Sequence, residues 1–227
     1  MTVLGVIPAR GGSKGVPRKN LARVGGRSLV RRAIEALRES RVCDTILVST
    51  EDREIADEAL AAGGEVDQRP QSLAADEVST EAVLLELLAR RGKSSGEILV
   101  LAEPSHPFRQ ATTVRAAVET YRRGGVGSVV AVFPLQHKPQ YIFRKAAGTL
   151  RRYVEVPAES FLRRQEMDHL CRLSGAAWVV GAAAFCEAEQ LLRSPIGWVD
   201  SQPYEAVNID TPLDLAFAQF LADKERL

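Results

Sequence analysis

Between Pro8 and Asn20 the chain reads Pro-Ala-Arg-Gly-Gly-Ser-Lys-Gly-Val-Pro-Arg-Lys-Asn, and three kinds of residue there can act together. Arg10, Lys14 and Lys19 supply positive charge. An arginine fork can hold two oxygens of one anion. Gly11, Gly12 and Gly15 let the backbone approach a ligand without a Cβ in the way. Successive N–H groups in such a bend can point at phosphate oxygens. The segment leaves the apolar run Val3–Ile7, which reads as a buried strand. In open α/β sheets, ligands collect beyond the carboxyl ends of strands. Ala9, Arg10, Gly11, Gly12, Ser13, Lys14, Lys19 and Asn20 are therefore expected to form a phosphate-binding loop, against the plainer alternative of a basic surface turn. Neither GxxxxGK[ST] nor GxGxxG is present, so it is not one of those two nucleotide loops.

The surrounding pattern supplies elements to carry this loop. Leu29, Ala33, Ile34 and Leu37 recur at helical spacing, with Arg31, Arg32, Glu35 and Arg38 on the opposite face. Thr45–Ser49, Glu97–Ala102, Gly127–Phe133 and Ala176–Gly181 read as further strands. Ile55–Leu60, Val83–Leu88, Val114–Tyr121, Glu187–Leu192 and Pro212 to about Asp223 read as helices. Alternation of this kind predicts an α/β fold with a mostly parallel, Rossmann-like sheet flanked by helices. From Pro134 to His169 the alternation breaks, and Tyr141-Ile142-Phe143 reads as the start of a hairpin. The expectation is one domain over 1–227 with an inserted arm at 134–169. Two polar positions stay open on spacing alone. Ser79 or Thr80 can cap the helix through Leu87, and Asp210, before Thr211-Pro212, can cap the last helix.

Composition narrows the classes. The 227 residues are 45% hydrophobic and 26% charged, ordinary for a soluble domain. A net charge of +1 argues against nucleic acid as a partner held by bulk charge. Cys43, Cys171 and Cys186 are scattered and form no zinc or CxxC pattern. No apolar run reaches membrane-spanning length, and the first strand starts almost at Met1, so no membrane association and a cytoplasmic location are expected.

The segment Ile7–Leu21 (IPARGGSKGVPRKNL) is similar to the signature of the CMP-sialic acid synthetase family, the acylneuraminate cytidylyltransferases. The resemblance continues in Ile46–Asp52 (ILVSTED), Gln68–Asp76 (QRPQSLAAD) with Ser79-Thr80, His137–Arg144 (HKPQYIFR), Arg163-Arg164-Gln165, Arg172–Ala176 (RLSGA) and Asn208–Asp214 (NIDTPLD). It implies a nucleotidyltransferase that moves CMP from CTP to an acidic small-molecule acceptor. Arg10, Ser13, Lys14, Lys19 and Asn20 would hold the triphosphate, with backbone donors from Gly11 and Gly12. Arg69, Ser79 and Thr80 would recognise the pyrimidine. Asp210, with Asn208 beside it, would bind Mg2+. Glu103, His106, Arg163, Gln165 and Arg172 would face the acceptor. Arg10, Lys14, Lys19 and Asp210 are the expected catalytic set. The arm implies a homodimer.

The chain departs from that family on the acceptor side. Asn208 stands where an aspartate is usual, and Glu103 replaces the glutamine of L-Q-P-T-S-P. Ser174 replaces the asparagine of R-x-N-G-A, and the aromatic that follows is Trp178. The expected acceptor is thus a nonulosonic acid other than N-acetylneuraminate, or a smaller acid such as a phosphonate. A guanylyl- or uridylyltransferase and a non-catalytic nucleotide-binding relative are the competing readings.

Overall fold

The computed structural model of the chain describes residues 1–92, 96–135, 139–154 and 170–225. Strand β1 (Val3–Pro8) is buried on both faces. Its side chains alternate, as a pleated strand requires. Val3 and Ile7 pack with one apolar cluster, and Leu4 and Val6 with another. β2 (Arg23–Val24) and β3 (Arg27–Ser28) form a small antiparallel ribbon. Helix α1 (Leu29–Ser40) follows, capped by Ser28, whose hydroxyl accepts the Arg31 N–H at 3.2 Å. It buries Leu29, Val30, Ala33, Ile34 and Leu37. β4 (Thr45–Thr50) pairs with β1 in parallel, and α2 (Arg53–Ala61) is capped by Asp52.

Three strands of the main sheet differ from expectation. β5 (Glu65–Gln68) lies at the sheet edge beside β4. Its sequence, EVDQ, carries a single apolar residue, because an edge strand need bury little. After α3 (Thr80–Arg91) and β6 (Ile98–Leu101) come α4 (Ala111–Arg122) and β7 (Ser128–Pro134). After β7, β8 (Phe143–Ala146) and β9 (Thr149–Arg152) pair as a hairpin. β10 (Cys171–Gly181) is longer than the expected Ala176–Gly181 and runs antiparallel to β6. β11 (Ile196–Asp200), not anticipated, pairs in parallel with β7. The order is β11-β7-β10-β6-β1-β4-β5, a seven-stranded, mostly parallel mixed sheet among the described residues.

The helix expected near Glu187–Leu192 is displaced. α5 spans Ala182–Ala188 and starts directly after β10. Burial of Ala182 and Phe185 fixes its inner face, and Glu189, at φ 55°, ends it in the left-handed region. α6 (Pro212–Glu225) closes the chain. One face of the sheet packs on α1, α2 and α4 through Ile34, Ile55, Val114 and Val118. The other packs on α3 and α5 through Leu84, Leu87, Leu88 and Phe185. Two-sided burial of this kind is what a parallel sheet needs. A third cluster joins α6 (Ala218, Ala222) to Val16, Val24, Leu29, Phe108 and Ile209, and so seats the last helix against the segment after the glycine-bearing loop.

The chain divides into two units, Met1–Val132 with Leu173–Leu227, and Phe133–Arg172. The smaller unit holds the β8–β9 hairpin. Its two-residue turn, Ala147-Gly148, has φ of 42° and 80°, positive at both positions as a tightly twisted hairpin requires. Phe143, Leu150 and Tyr153 are exposed on it, with Tyr141 and Ile142 just before. Arg152 lies over the Phe143 ring at 5.5 Å and Arg144 over the Tyr153 ring at 5.4 Å.

Candidate active site

At the carboxyl end of β1 the Ala9 N–H continues the sheet, donating to the Ser49 carbonyl at 2.9 Å. The chain then leaves the sheet, and each turn of the excursion is anchored. The Gly11 N–H donates to Glu51 Oε1 at 2.7 Å. Asn20, itself buried, donates from Nδ2 to the Arg10 carbonyl at 2.8 Å. Arg18, at φ 54°, forks onto Asp52, and its Nη2 also lies 3.0 Å from Glu54. The guanidinium holds the Asp52 carboxyl below its ordinary range. Gly15 lies against the Asp210 carbonyl so closely that a Cβ would collide with it. Lys19 Nζ donates to Asp210 Oδ1 at 2.9 Å.

These anchors leave a cavity of about 470 Å3. It brings together Arg10, Ser13, Lys14, Lys19, Asn20, Arg69, Ser79, Thr80, Glu103 and Asp210, residues from five separate stretches of sequence. Its four lining cations each face a carboxylate. Arg10 Nη2 lies 2.7 Å from Asp76, and Lys14 pairs with the other oxygen of the same carboxylate. Lys19 pairs with Asp210. Arg69, buried, gives Nε and Nη2 to Glu51 Oε2 at 3.0 and 2.8 Å. The Lys14 ammonium, followed by Arg10, holds the Asp76 carboxyl below its usual range.

Several of these residues also have local partners. The Gly11 N–H is taken by Glu51, so the expected backbone donor at this position is spent inside the protein, while a Cβ at Gly12 would meet nothing within 4 Å among the described residues. Asn20 acts on the loop through the Arg10 carbonyl. The Ser79 hydroxyl caps α3, accepting the Ala82 N–H at 3.1 Å, while still lining the cavity. The last helix is capped without the Asp210 side chain. Thr211 Oγ1 accepts the Asp214 N–H at 3.3 Å, and Asp214 Oδ2 accepts the N–H groups of Thr211 and Asp210 at 2.7 and 3.1 Å. Thr211-Pro212-Leu213-Asp214 has the reciprocal spacing of a capping box, a sequence signal for that arrangement. The Asp210 carboxylate is thereby left to Lys19 and to Asn208, whose Nδ2 donates to it at 2.5 Å.

Glu103 lines the cavity, and burial, opposed first by Arg109, raises its carboxyl above the ordinary value. His106 does not line the cavity. Its ring packs on Gly175, whose φ of 75° and lack of a Cβ make room for it. Desolvation, then Arg109, pulls its pKa down to about 3, so it brings no charge to an acidic ligand near neutrality. Arg172 lies in the smaller unit with its guanidinium over Phe133 at 4.4 Å. Arg163 and Gln165 lie outside the described residues. The sequence reading missed Asp76, Glu51 and Arg109. Arg109 is buried and donates to the carbonyls of Ala176 and Glu103 at 2.7 and 2.8 Å. It thus ties the strand end at Glu103 to the β10 segment.

Comparison with known proteins agrees with this architecture. Residues 4–134 match the cytidylyltransferase family, and the chain belongs to that family. It is 31% identical to CMP-N,N'-diacetyllegionaminic acid synthase of Legionella pneumophila, over 98% of this chain and 97% of that one. It is 27% identical to pseudaminic acid cytidylyltransferase of Campylobacter jejuni, over 97% and 96%. The fold matches the structure of CMP:2-keto-3-deoxy-manno-octonic acid synthetase complexed with CTP, with a TM-score of 0.74 at 16% identity, covering 99% of this chain and all of that one. The chain is therefore a nucleotidyltransferase that transfers CMP.

Proposed function

We propose that the chain joins CMP from CTP to an acidic sugar acid of the nonulosonic type and releases pyrophosphate, in the cytoplasm. The observation that carries this reading is the convergence of Arg10, Lys14, Lys19 and Arg69 on one cavity at the carboxyl end of β1. The relatives' names, which cover legionaminic and pseudaminic acids, support the acceptor class. In this reading an acceptor oxygen attacks the α-phosphorus in line. The protein contributes positioning and charge neutralisation, with no covalent intermediate. Arg10, Lys14 and Lys19 face the phosphates. Ser79, Thr80 and Arg69 stand on the wall assigned to the pyrimidine. Glu103 faces the acceptor, and its carboxylate favours an acceptor that presents an N–H or O–H donor there.

Mg2+ fits the residues present. Asp210 is exposed toward the cavity and offers hard oxygen, and Asn208 adds an amide oxygen. No three acidic, histidine or cysteine side chains converge among the described residues. That suits an ion which takes one or two carboxylates and completes its shell with phosphates and water. When bound, the ion supplies further positive charge to the phosphates. We assign the arm at 134–169 to a homodimer contact.

Thermal shift with each of the four nucleoside triphosphates and Mg2+ tests the nucleotide, because a ligand of the native state raises Tm by mass action. Pyrophosphate release across a panel of nonulosonic acids and phosphonates then tests the acceptor. CTP should stabilise most, and one acceptor class should turn over. Lys19→Ala should cut turnover by about 100-fold, the scale of a lost charge-stabilising donor, with Tm nearly unchanged. Normal turnover in that variant would refute the loop assignment. Stabilisation by CTP with no turnover on any acceptor would mark a binding protein instead.

A further inference from the structure

Asp76 stands in the segment between the Gln71–Ala74 turn and α3, which lines the same cavity as the glycine-bearing loop. It alone answers two of the four lining cations, Arg10 and Lys14. The two salt bridges tie the loop to this segment. The Asp76 side chain is about three-tenths exposed and is held by no buried network, in contrast to the Glu51 side chain, which is buried between Gly11 and Arg69. The lining charges are Arg10, Lys14, Lys19 and Arg69 against Asp76, Glu103 and Asp210, four positive against three negative, so the lining itself is close to balanced. A triphosphate needs the guanidinium of Arg10 and the ammonium of Lys14 for its own oxygens. It cannot share them with a carboxylate at hydrogen-bond distance without like-charge repulsion.

We infer that Asp76 is an internal counter-ion for the phosphate loop, displaced when the triphosphate binds and restored when pyrophosphate leaves. The inference deepens the reading of the loop as a triphosphate site and rests on it. In the free protein the carboxylate keeps the two flexible cations aimed into the cavity. On binding it sets a threshold, since only a ligand with more charge than a carboxylate takes both cations from it. After reaction it competes with pyrophosphate and hastens its release. Asp76 is thus a specificity-determining residue: it weakens the grip on phosphate chains in return for selectivity and turnover.

The test compares the native chain with Asp76→Asn, and with Asp76→Ala as a second form, by calorimetric titration with CTP, pyrophosphate and cytidine. Two partly exposed ion pairs, each of modest worth in water, set the scale at about tenfold. Both variants should bind CTP and pyrophosphate up to about tenfold more tightly, with cytidine unchanged, and pyrophosphate should inhibit them more strongly. The gain should vanish when Arg10→Ala and Lys14→Ala are added. Unchanged or weaker CTP and pyrophosphate binding overturns the inference, as does an equal change for cytidine, which would mean that the cavity had loosened as a whole. Arg10→Ala alone separates the two levels. If it weakens CTP binding while Asp76→Asn fails to tighten it, the loop reading stands and the counter-ion inference falls. If Arg10→Ala leaves CTP binding as it was, both fall.

Discussion

Single side chains in this protein take their roles from what surrounds them more than from their type. His106 sits one residue from a cavity-lining serine, yet its ring is desolvated against Gly175 and its pKa falls to about 3. The sign of the consequence follows from linkage. With the folded value below the unfolded one of 6.5, the neutral ring contributes stability that is fully present above about pH 6.5. That contribution is lost progressively as pH falls toward 3, because the unfolded chain takes up a proton which the folded chain refuses. The effect is on the order of a few kcal/mol over this window. In metal-free buffer, the Tm advantage of the native chain over His106→Gln should shrink steadily between about pH 7.5 and about pH 4.5. A constant difference across that range would show that the ring is hydrated or hydrogen-bonded in its charged form. Glu103, three residues earlier, shows the opposite shift for the same physical reason, since burial disfavours the charged form of either group.

The loop after β1 works as an element because its backbone is fixed at both ends, by Glu51 on Gly11 and by the close approach of Gly15 to the Asp210 carbonyl. Gly15→Ala places a methyl group where that carbonyl lies. The loop must then lift from the α6 segment, and Lys19 loses its register with Asp210. The expected result is a rise of about tenfold or more in KM for CTP, with Tm lower by a few degrees, the range for a local backbone clash. Gly12→Ala, which meets nothing within 4 Å, should change Tm little. If both variants behave alike in CTP binding, the contact with Asp210 is not what shapes the loop. The contrast also marks what the sequence can tell. The loop's place after β1, the strands β1 and β4, and the Ser79 cap of α3 were legible because each depends on neighbours in the chain: an apolar run, a glycine cluster, a serine before a helix; the cap of α6 was not, since it falls to Thr211 and Asp214 and not to Asp210. Glu51 and Asp76 were not, because their partners come from other strands and turns and nothing local distinguishes them from solvated carboxylates. β5 and β11 escaped notice for a related reason. Edge strands bury one face at most, so Glu65–Gln68 and Ile196–Asp200 lack the continuous apolar run that announced β1. α5 was misplaced because its boundary is set by the end of β10 and by the left-handed Glu189, which composition does not encode.

For the whole molecule, the unresolved requirement is cover for apolar surface. Tyr141, Ile142, Phe143, Leu150 and Tyr153 are all exposed, on or beside a two-stranded hairpin, and a hairpin of that size is marginal in water without a surface to pack on. Contiguous exposed apolar side chains on a soluble protein mark contact sites. A second copy of the chain is the partner that the family resemblance implies, through a twofold contact in which the same patch serves both subunits. Sedimentation velocity at micromolar concentration should therefore give a dimer. Ile142→Asp with Leu150→Asp should shift it to the monomer, because buried carboxylates without partners oppose association strongly. The cavity at the end of β1 is built entirely from the larger unit, so the monomeric variant should still gain Tm from CTP as the native chain does. Loss of acceptor turnover with CTP binding intact would tie the hairpin to the acceptor half of the reaction. Loss of both would mean that the substitutions had unfolded more than the hairpin, and a native chain that sediments as a monomer would remove the dimer altogether.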